Sequence, residues 1–225
     1  QCNIRDITSR KKIEVELKNS QQKHLTGMLQ TVQALAKVIE SRDYYTAGHQ
    51  LRVSEISVAI GRLMKLDEDE LQGIGIAAMI HDIGKMSIPV DILTKPSHLN
   101  AFEMGLIRNH VIEGATMIEG VDFPWPIFKL MMQHHERLDG SGYPNGIKAP
   151  DILMGARILA VADTLEAMTG KRPYRTAFPL ENALELLERD SPALYDHDVV
   201  QACMHLFRDK HYPRSEEHTS ELQSP

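Results

Sequence analysis

The sequence predicts an all-α fold, a helical bundle entered through one long N-terminal helix. Three observations predict it. Apolar residues recur at steps of three and four from about residue 13 to residue 208. No alternating apolar–polar run appears after residue 12. The periodic segments are bounded by helix start and stop chemistry, such as Asp67-Glu68-Asp69-Glu70, Asn100 with Glu103, Gly84 and Gly170.

At 225 residues the chain has room for one good-sized domain, or one domain and a fragment of another. A hydrophobic content of 42% is enough for a proper core. The net charge of −6 excludes general attraction to a nucleic acid polymer. Any phosphate must therefore meet positive charge gathered locally. Two cysteines, Cys2 and Cys203, make no disulfide framework and suit a reducing, cytoplasmic setting. No apolar run is long enough to span a bilayer, and no signal-peptide pattern is present. The chain opens on Gln1 and reads as a fragment.

Cys2-Asn3-Ile4-Arg5 reads as the last turn of a strand, leading through Asp6-Ile7-Thr8 into a basic helical run. Residues 13–41 read as one helix with apolar Ile13, Leu17, Leu25, Met28, Leu29, Val32, Leu35, Ala36 and Ile39, spaced as a seam from Leu25 onward and interrupted by Gln21, Gln22, Lys23 and His24. Such a seam would pair two copies in a parallel homodimer and join a sensor to the domain behind it. Packing of Val32–Ile39 on the chain's own domain is the alternative. After a break at 43–46, a helix starting near Thr46 or Gly48 runs to about Leu66. His49 is in line with Val53, Ile56, Ile60 and Leu63, so it faces inward.

The acidic start at 67–70 suits the helix dipole and opens a helix over Leu71–Ile83. His81 is in phase there with Leu71, Ile74 and Ala78. Pro89 and Pro96 mark a loop, and Asn100 with Glu103 is a capping box opening a helix to about Glu119, with His110 inward. Pro124 and Pro126 start a helix ending on His134-His135. Asp139–Ile147, with three glycines and a proline, is a loop of special backbone geometry. Ile152–Thr169 is a helix with Asp163 inward, and Pro179–Arg189 and Asp196–Arg208 are amphipathic helices. Residues 214–225 lack periodicity and resemble the translation of a sequencing-library adapter, so they are set aside as a non-native tail.

The inward polar residues are His49, His81, Asp82, His110, His134, His135 and Asp163. One inward histidine is usually a satisfied core residue. Seven such groups cannot all satisfy each other, and burying them unpartnered is costly. Imidazole and carboxylate together are ordinary ligands of divalent transition metals. Seven ligands exceed what one ion takes and suit two ions sharing a carboxylate. Two ions about 3.5–4 Å apart are the arrangement that hydrolyses phosphate esters. Met131-Met132 reads as core, while His24, His98, His197, His205 and His211 read as surface or capping residues. Glu136 either supports His135 or is exposed.

These motifs resemble the HD-GYP domains, a subgroup of the HD metal-dependent phosphohydrolases. The matching stretches are TAGHQLRV (46–53), HDIGK (81–85), Lys95-Pro96, Asn109-His110 with Gly114, HHERLDGSGYP (134–144), ARILAVAD (156–163) and RPYR (172–175). The resemblance covers residues 30 to about 208, and the domain is set at 30–213. Residues 1–12 resemble the exit of a PAS sensor domain. The HD-GYP likeness implies hydrolysis of cyclic di-GMP to pGpG, or on to GMP. It implies one metal on His49, His81, Asp82 and Asp163, and a second on Asp82, His110, His134 and His135. Asp82 and Lys85 would be catalytic, with Lys85 reaching the scissile phosphate. Gly142, Tyr143 and Pro144 would flank the substrate, and Arg172 and Arg175 would bind its phosphates. Family members with three metals carry a Glu where this chain has Tyr45, so two ions are expected. Iron is favoured by the resemblance, with manganese, zinc or nickel compatible with the ligand set. Two rival readings are a module that binds a cyclic dinucleotide or a partner without turnover, and a hydrolase of another nucleotide.

Overall fold

The computed structural model describes residues 2–42, 48–95, 97–170, 178–210 and 212. Ten α-helices follow one another among them. They are α1 (Cys2–Arg42), α2 (His49–Leu63), α3 (Glu68–Ile80), α4 (Val90–Leu93), α5 (Ala101–Arg108), α6 (His110–Met117), α7 (Ile127–Gln133), α8 (Met154–Thr169), α9 (Leu180–Asp190) and α10 (His197–Arg208). A 3-10 turn over Ile83–Ser87 lies between α3 and α4. No strand occurs among the described residues.

Helix α3 is the hub. Leu71, Ile74, Ile76, Ala77, Ala78 and Ile80 are all buried, so it is apolar on every side, as a central helix must be. On one side Ile74 and Ala78 join Val53, Ile56 and Ile60 of α2, Ile158, Leu159 and Leu165 of α8, and the inner faces of α9 and α10. On the other side Ile76, Ala77 and Ile80 meet Val32 of α1, Trp125, and Ile127, Leu130 and Met131 of α7. Small residues permit the closest approaches. The Ser54 hydroxyl donates to the Gly75 carbonyl at 2.9 Å, and a Cβ on Gly61 would lie 2.6 Å from Leu71. The functional consequence is positional. The C-terminal end of α3, carrying His81 and Asp82, is held at the middle of the bundle with α2, α6, α7 and α8 around it.

Capping follows the sequence. The Asp67 side chain accepts from the Glu70 amide, and Asn100 with Glu103 forms the reciprocal capping box. Gly48 is the N-cap of α2, with φ of 74°. Three expectations need correction. Residues 2–5 are helical and not a strand end, because α1 already begins at Cys2. A lone strand there would have no ladder partner, whereas a helix satisfies its own backbone groups. The expected single helix over 100–119 is divided at Asn109 into α5 and α6. The helix expected to reach Ile83 ends at Ile80 and tightens into the 3-10 turn.

The seam of α1 is also divided. Val32, Ala36 and Ile39 are buried, and Leu25, Met28 and Leu29 are packed against the chain's own core. Ile13 and Leu17 stay exposed. No helix of the described residues is long and apolar enough to cross a membrane.

Candidate metal centre

The seven inward groups meet in one place. They come from the ends or inner faces of five helices: His49 opens α2, His81 and Asp82 follow α3, His110 opens α6, His134 and His135 follow α7, and Asp163 lies within α8. His49, His81, Asp82, His110 and His134 are buried, and His135 and Asp163 nearly so. The ligand-capable atoms fall into three overlapping triads: His49–His81–Asp163, His81–Asp82–His134 and His110–His134–His135. Within each, the atoms lie within 4.8 Å of one another.

The histidine tautomers follow from the helix ends. The last carbonyls of a helix lack an intrahelical donor. His81 Nδ1 donates to the Ala78 carbonyl at 2.7 Å, and His134 Nδ1 to the Met131 carbonyl at 2.6 Å. His110 Nδ1 does the same to the Ile107 carbonyl at the end of α5, at 2.6 Å. This leaves Nε2 of all three rings directed inward, buried and without a hydrogen-bond partner. Three unpartnered buried nitrogens beside two carboxylates form a donor set that a cation satisfies. The residues therefore fit a divalent metal, and the chemistry of the set, imidazole with carboxylate, is that of transition-metal sites.

Asp82 stands between the two halves. Its Oδ2 lies 3.4 Å from His81 Nε2 and 3.7 Å from His49 Nε2, while its Oδ1 lies 3.3 Å from His110 Nε2. Asp163 Oδ1 faces His49 and His81 at 3.3 and 3.6 Å. Lys85, one turn beyond Asp82, donates to Asp82 Oδ2 at 2.6 Å. Burial alone would raise the Asp82 carboxyl; Lys85, followed by His81, outweighs it and holds it well below the usual range. Burial lowers His110 and His134, and brings His135 down to about 3, so these rings are neutral and free to ligate. For His49, Asp163 and Glu166 outweigh the effect of burial and raise it to about 9.

Two polar residues beside the candidate ligands escaped the reading of the sequence. Glu166 is buried, accepts from His49 Nδ1, and is itself held by Arg52, whose Nε donates at 2.8 Å. It lies three residues after Asp163, on the same face of α8, and that spacing was the available signal. Gln50 is 1% exposed and its Nε2 donates to Asp82 Oδ2 at 3.3 Å.

The glycine-rich loop wraps the His135 side. Glu136 is buried, not exposed, and accepts from the Asn145 and Ile147 amides at 2.8 and 3.1 Å. It therefore anchors the loop. A Cβ on Gly142 would lie 2.4–2.5 Å from the backbone of Arg137, Glu136 and His135, so only glycine permits this approach. Tyr143 is thereby laid against His135, ring centroids 4.7 Å apart, with the Arg108 guanidinium 5.2 Å from its ring centre. Pro144 follows in the same loop, half-buried. Arg172, Arg175 and Tyr45 lie outside the described residues.

A family profile described as "HD domain" matches residues 16–199. A cyclic di-GMP phosphodiesterase of Thermotoga maritima is 37% identical over 183 residues, which is 80% of this chain and 49% of that protein. The cyclic di-GMP phosphodiesterase response regulator RpfG of Xanthomonas campestris pv. campestris is 36% identical over 177 residues, 78% of this chain and 47% of that protein. The chain thus spans about half the length of these curated relatives. Among solved structures, the HDG"Y"P protein Bd1817 of Bdellovibrio bacteriovorus superposes with a TM-score of 0.62 at 22% identity, over 83% of this chain and 60% of that one. That likeness establishes a shared fold. With the profile covering most of its length, and the His-Asp pair at the centre of the bundle, the chain belongs to the HD-domain family.

Proposed function

We propose that the domain is of the HD-GYP type and hydrolyses cyclic di-GMP to pGpG in the bacterial cytoplasm, with two divalent ions per chain, iron by preference. The single observation that carries this reading is Asp82, with one carboxylate oxygen facing His49 and His81 and the other facing His110. That is the disposition of a bridging ligand. His49, His81, Asp82 and Asp163 would hold one ion, and Asp82, His110, His134 and His135 the other. Bound there, such ions polarise a phosphodiester and supply hydroxide at neutral pH. The names of the relatives support cyclic di-GMP as the substrate.

The chain's own groups have separate tasks. Lys85 places an ammonium beside Asp82, where it can meet a phosphate oxygen and donate a proton to the departing ribose oxygen. Tyr143 is braced between His135 and Arg108, which leaves its hydroxyl edge for a substrate contact. Arg172 and Arg175 are proposed on sequence alone to take phosphates. Helix α1 is proposed to join the domain to an N-terminal PAS-like sensor and to pair two copies.

The test is anaerobic turnover by the iron-loaded chain, with products separated and metal counted. Formation of pGpG at about two ions per chain, abolished in Asp82→Ala, is the expected result. Bound metal and retained nucleotide without product would replace the enzyme with a binding module.

A further inference from the structure

Helix α2 begins without a cap of its own. Gly48 has no side chain to accept from the first-turn amides, and no side-chain cap bond is made there. The acceptor comes from another helix. Glu40, near the end of α1 and half-buried, accepts from the Gln50 amide through Oε1 at 3.2 Å. A carboxylate at this place satisfies an orphan donor and meets the positive end of the α2 dipole.

Gln50 carries the contact inward. Its backbone is held by α1, and its buried side chain donates to Asp82 Oδ2 at 3.3 Å. That oxygen is the one that faces His49 and His81 and accepts from Lys85. His49, next in sequence to Gln50, takes its place on the same first turn of α2. Two hydrogen bonds therefore join α1 to the carboxylate between the two halves of the centre, and the backbone of one residue sets both Asp82 and His49.

We infer that Glu40 is a positioning residue: through Gln50 it fixes Asp82 as the bridging ligand, and so fastens the long helix α1 to the metal centre. This rests on the two-metal reading above. A shift of α1 along or about its axis breaks the Glu40–Gln50 bond before it disturbs any ligand directly. The remainder of the docked segment, Val32, Ala36 and Ile39, is apolar and tolerates small sliding better than a hydrogen bond does. The device acts on ion binding and on the chemical step, and makes no contact with substrate.

The experiment uses the full chain titrated anaerobically with Mn(II), followed by electron paramagnetic resonance for the exchange-coupled pair that a bridging carboxylate produces. Thermal midpoints with and without Mn(II) are measured in parallel. Glu40→Ala is expected to weaken binding of the second ion by about 10-fold or more and to lose the coupled signal, the range found for residues that orient ligands. Glu40→Gln keeps an acceptor at the same place and is expected to stay within about 3-fold of the parent. Gln50→Leu removes the inner donor and should match Glu40→Ala, with the double variant no worse than either, because both cut one path. If Glu40→Ala lowers the thermal midpoint but leaves Mn(II) affinity and coupling intact, Glu40 is only a cap and the inference fails. A parent chain that binds fewer than two ions overturns the bridging role of Asp82, and the inference with it. Failure of cyclic di-GMP turnover alone would count against the substrate and leave these metal readouts to decide.

Discussion

At His49 the two ring nitrogens have different work. Nδ1 is taken by Glu166, and Nε2 is turned toward Asp163 and Asp82. The other three rings with a fixed Nδ1 use a backbone carbonyl, which cannot be changed by substitution. His49 is thus the ligand whose orientation depends on a removable side chain. Burial would raise the Glu166 carboxyl, but His49 and Arg52 hold it down to about 2, so it stays ionised. Glu166→Ala is expected to weaken metal binding by about 10–100-fold while the helices remain formed. Competition with a chelator, read beside far-ultraviolet circular dichroism, checks both parts. Unchanged metal affinity would mean that Asp163 alone orients His49. The seven candidate ligands are legible in the sequence, because each lies in or at the end of an apolar helical run where a polar group needs a reason. Glu166 lies one step along the face that exposes Asp163. Gln50 carries no such signal, since its meaning comes from Asp82, 32 residues away.

Among the elements, the turn after Asp82 is shaped by contact with α6. A Cβ on Gly84 would lie 1.9 Å from the His110 carbonyl and 2.5 Å from the Gly114 amide. Those are backbone atoms and cannot swing aside. Gly84→Ala therefore forces the 3-10 turn away from α6, separating Asp82 from His110. Overpacking of this kind costs about 1–3 kcal/mol or more. The expected outcome is a lower thermal midpoint together with loss of one ion per chain, measured by calorimetry and metal analysis. Asn100→Ala serves as the contrast. It removes a cap on α5 at a cost of about 1 kcal/mol and should leave the metal count unchanged. Equal metal loss in both variants would show that the centre responds to stability in general. The same contact explains where the helices stop. Caps at Asp67 and Asn100 are local chemistry and can be read from the sequence. The early end of α3 and the division at Asn109 arise where two backbones meet, and periodicity carries no record of that.

At the scale of the whole molecule, α1 is out of proportion to the rest. Its 41 residues extend about 60 Å at the usual rise, and residues 10–20 are exposed along it. The apolar stripe reads in the sequence as a seam interrupted at Gln21–His24 and regular from Leu25 onward, and Val32, Ala36 and Ile39 of that regular part are taken up by the chain's own core. Leu35 and Val38 stay exposed beside that docked part, and the N-terminal part offers a second copy Ile13 and Leu17, 64% and 57% exposed, one turn apart on the same face. Two such helices side by side would bury these residues against each other, and the charged neighbours Lys11, Lys12, Glu14, Glu16 and Lys18 would stay in water. We assign the proposed homodimer to these positions, where no residue packs on the chain's own core. The double variant Ile13→Glu, Leu17→Glu is expected to shift the chain from dimer to monomer in light scattering at micromolar concentration, with the metal count per chain retained. A parent that is already monomeric, or a variant that stays dimeric, would remove α1 as the pairing element. If the dimer forms as expected, a rotation imposed on the exposed part of α1 has a rigid path to Glu40, because no break in helix separates Ile13 from Glu40.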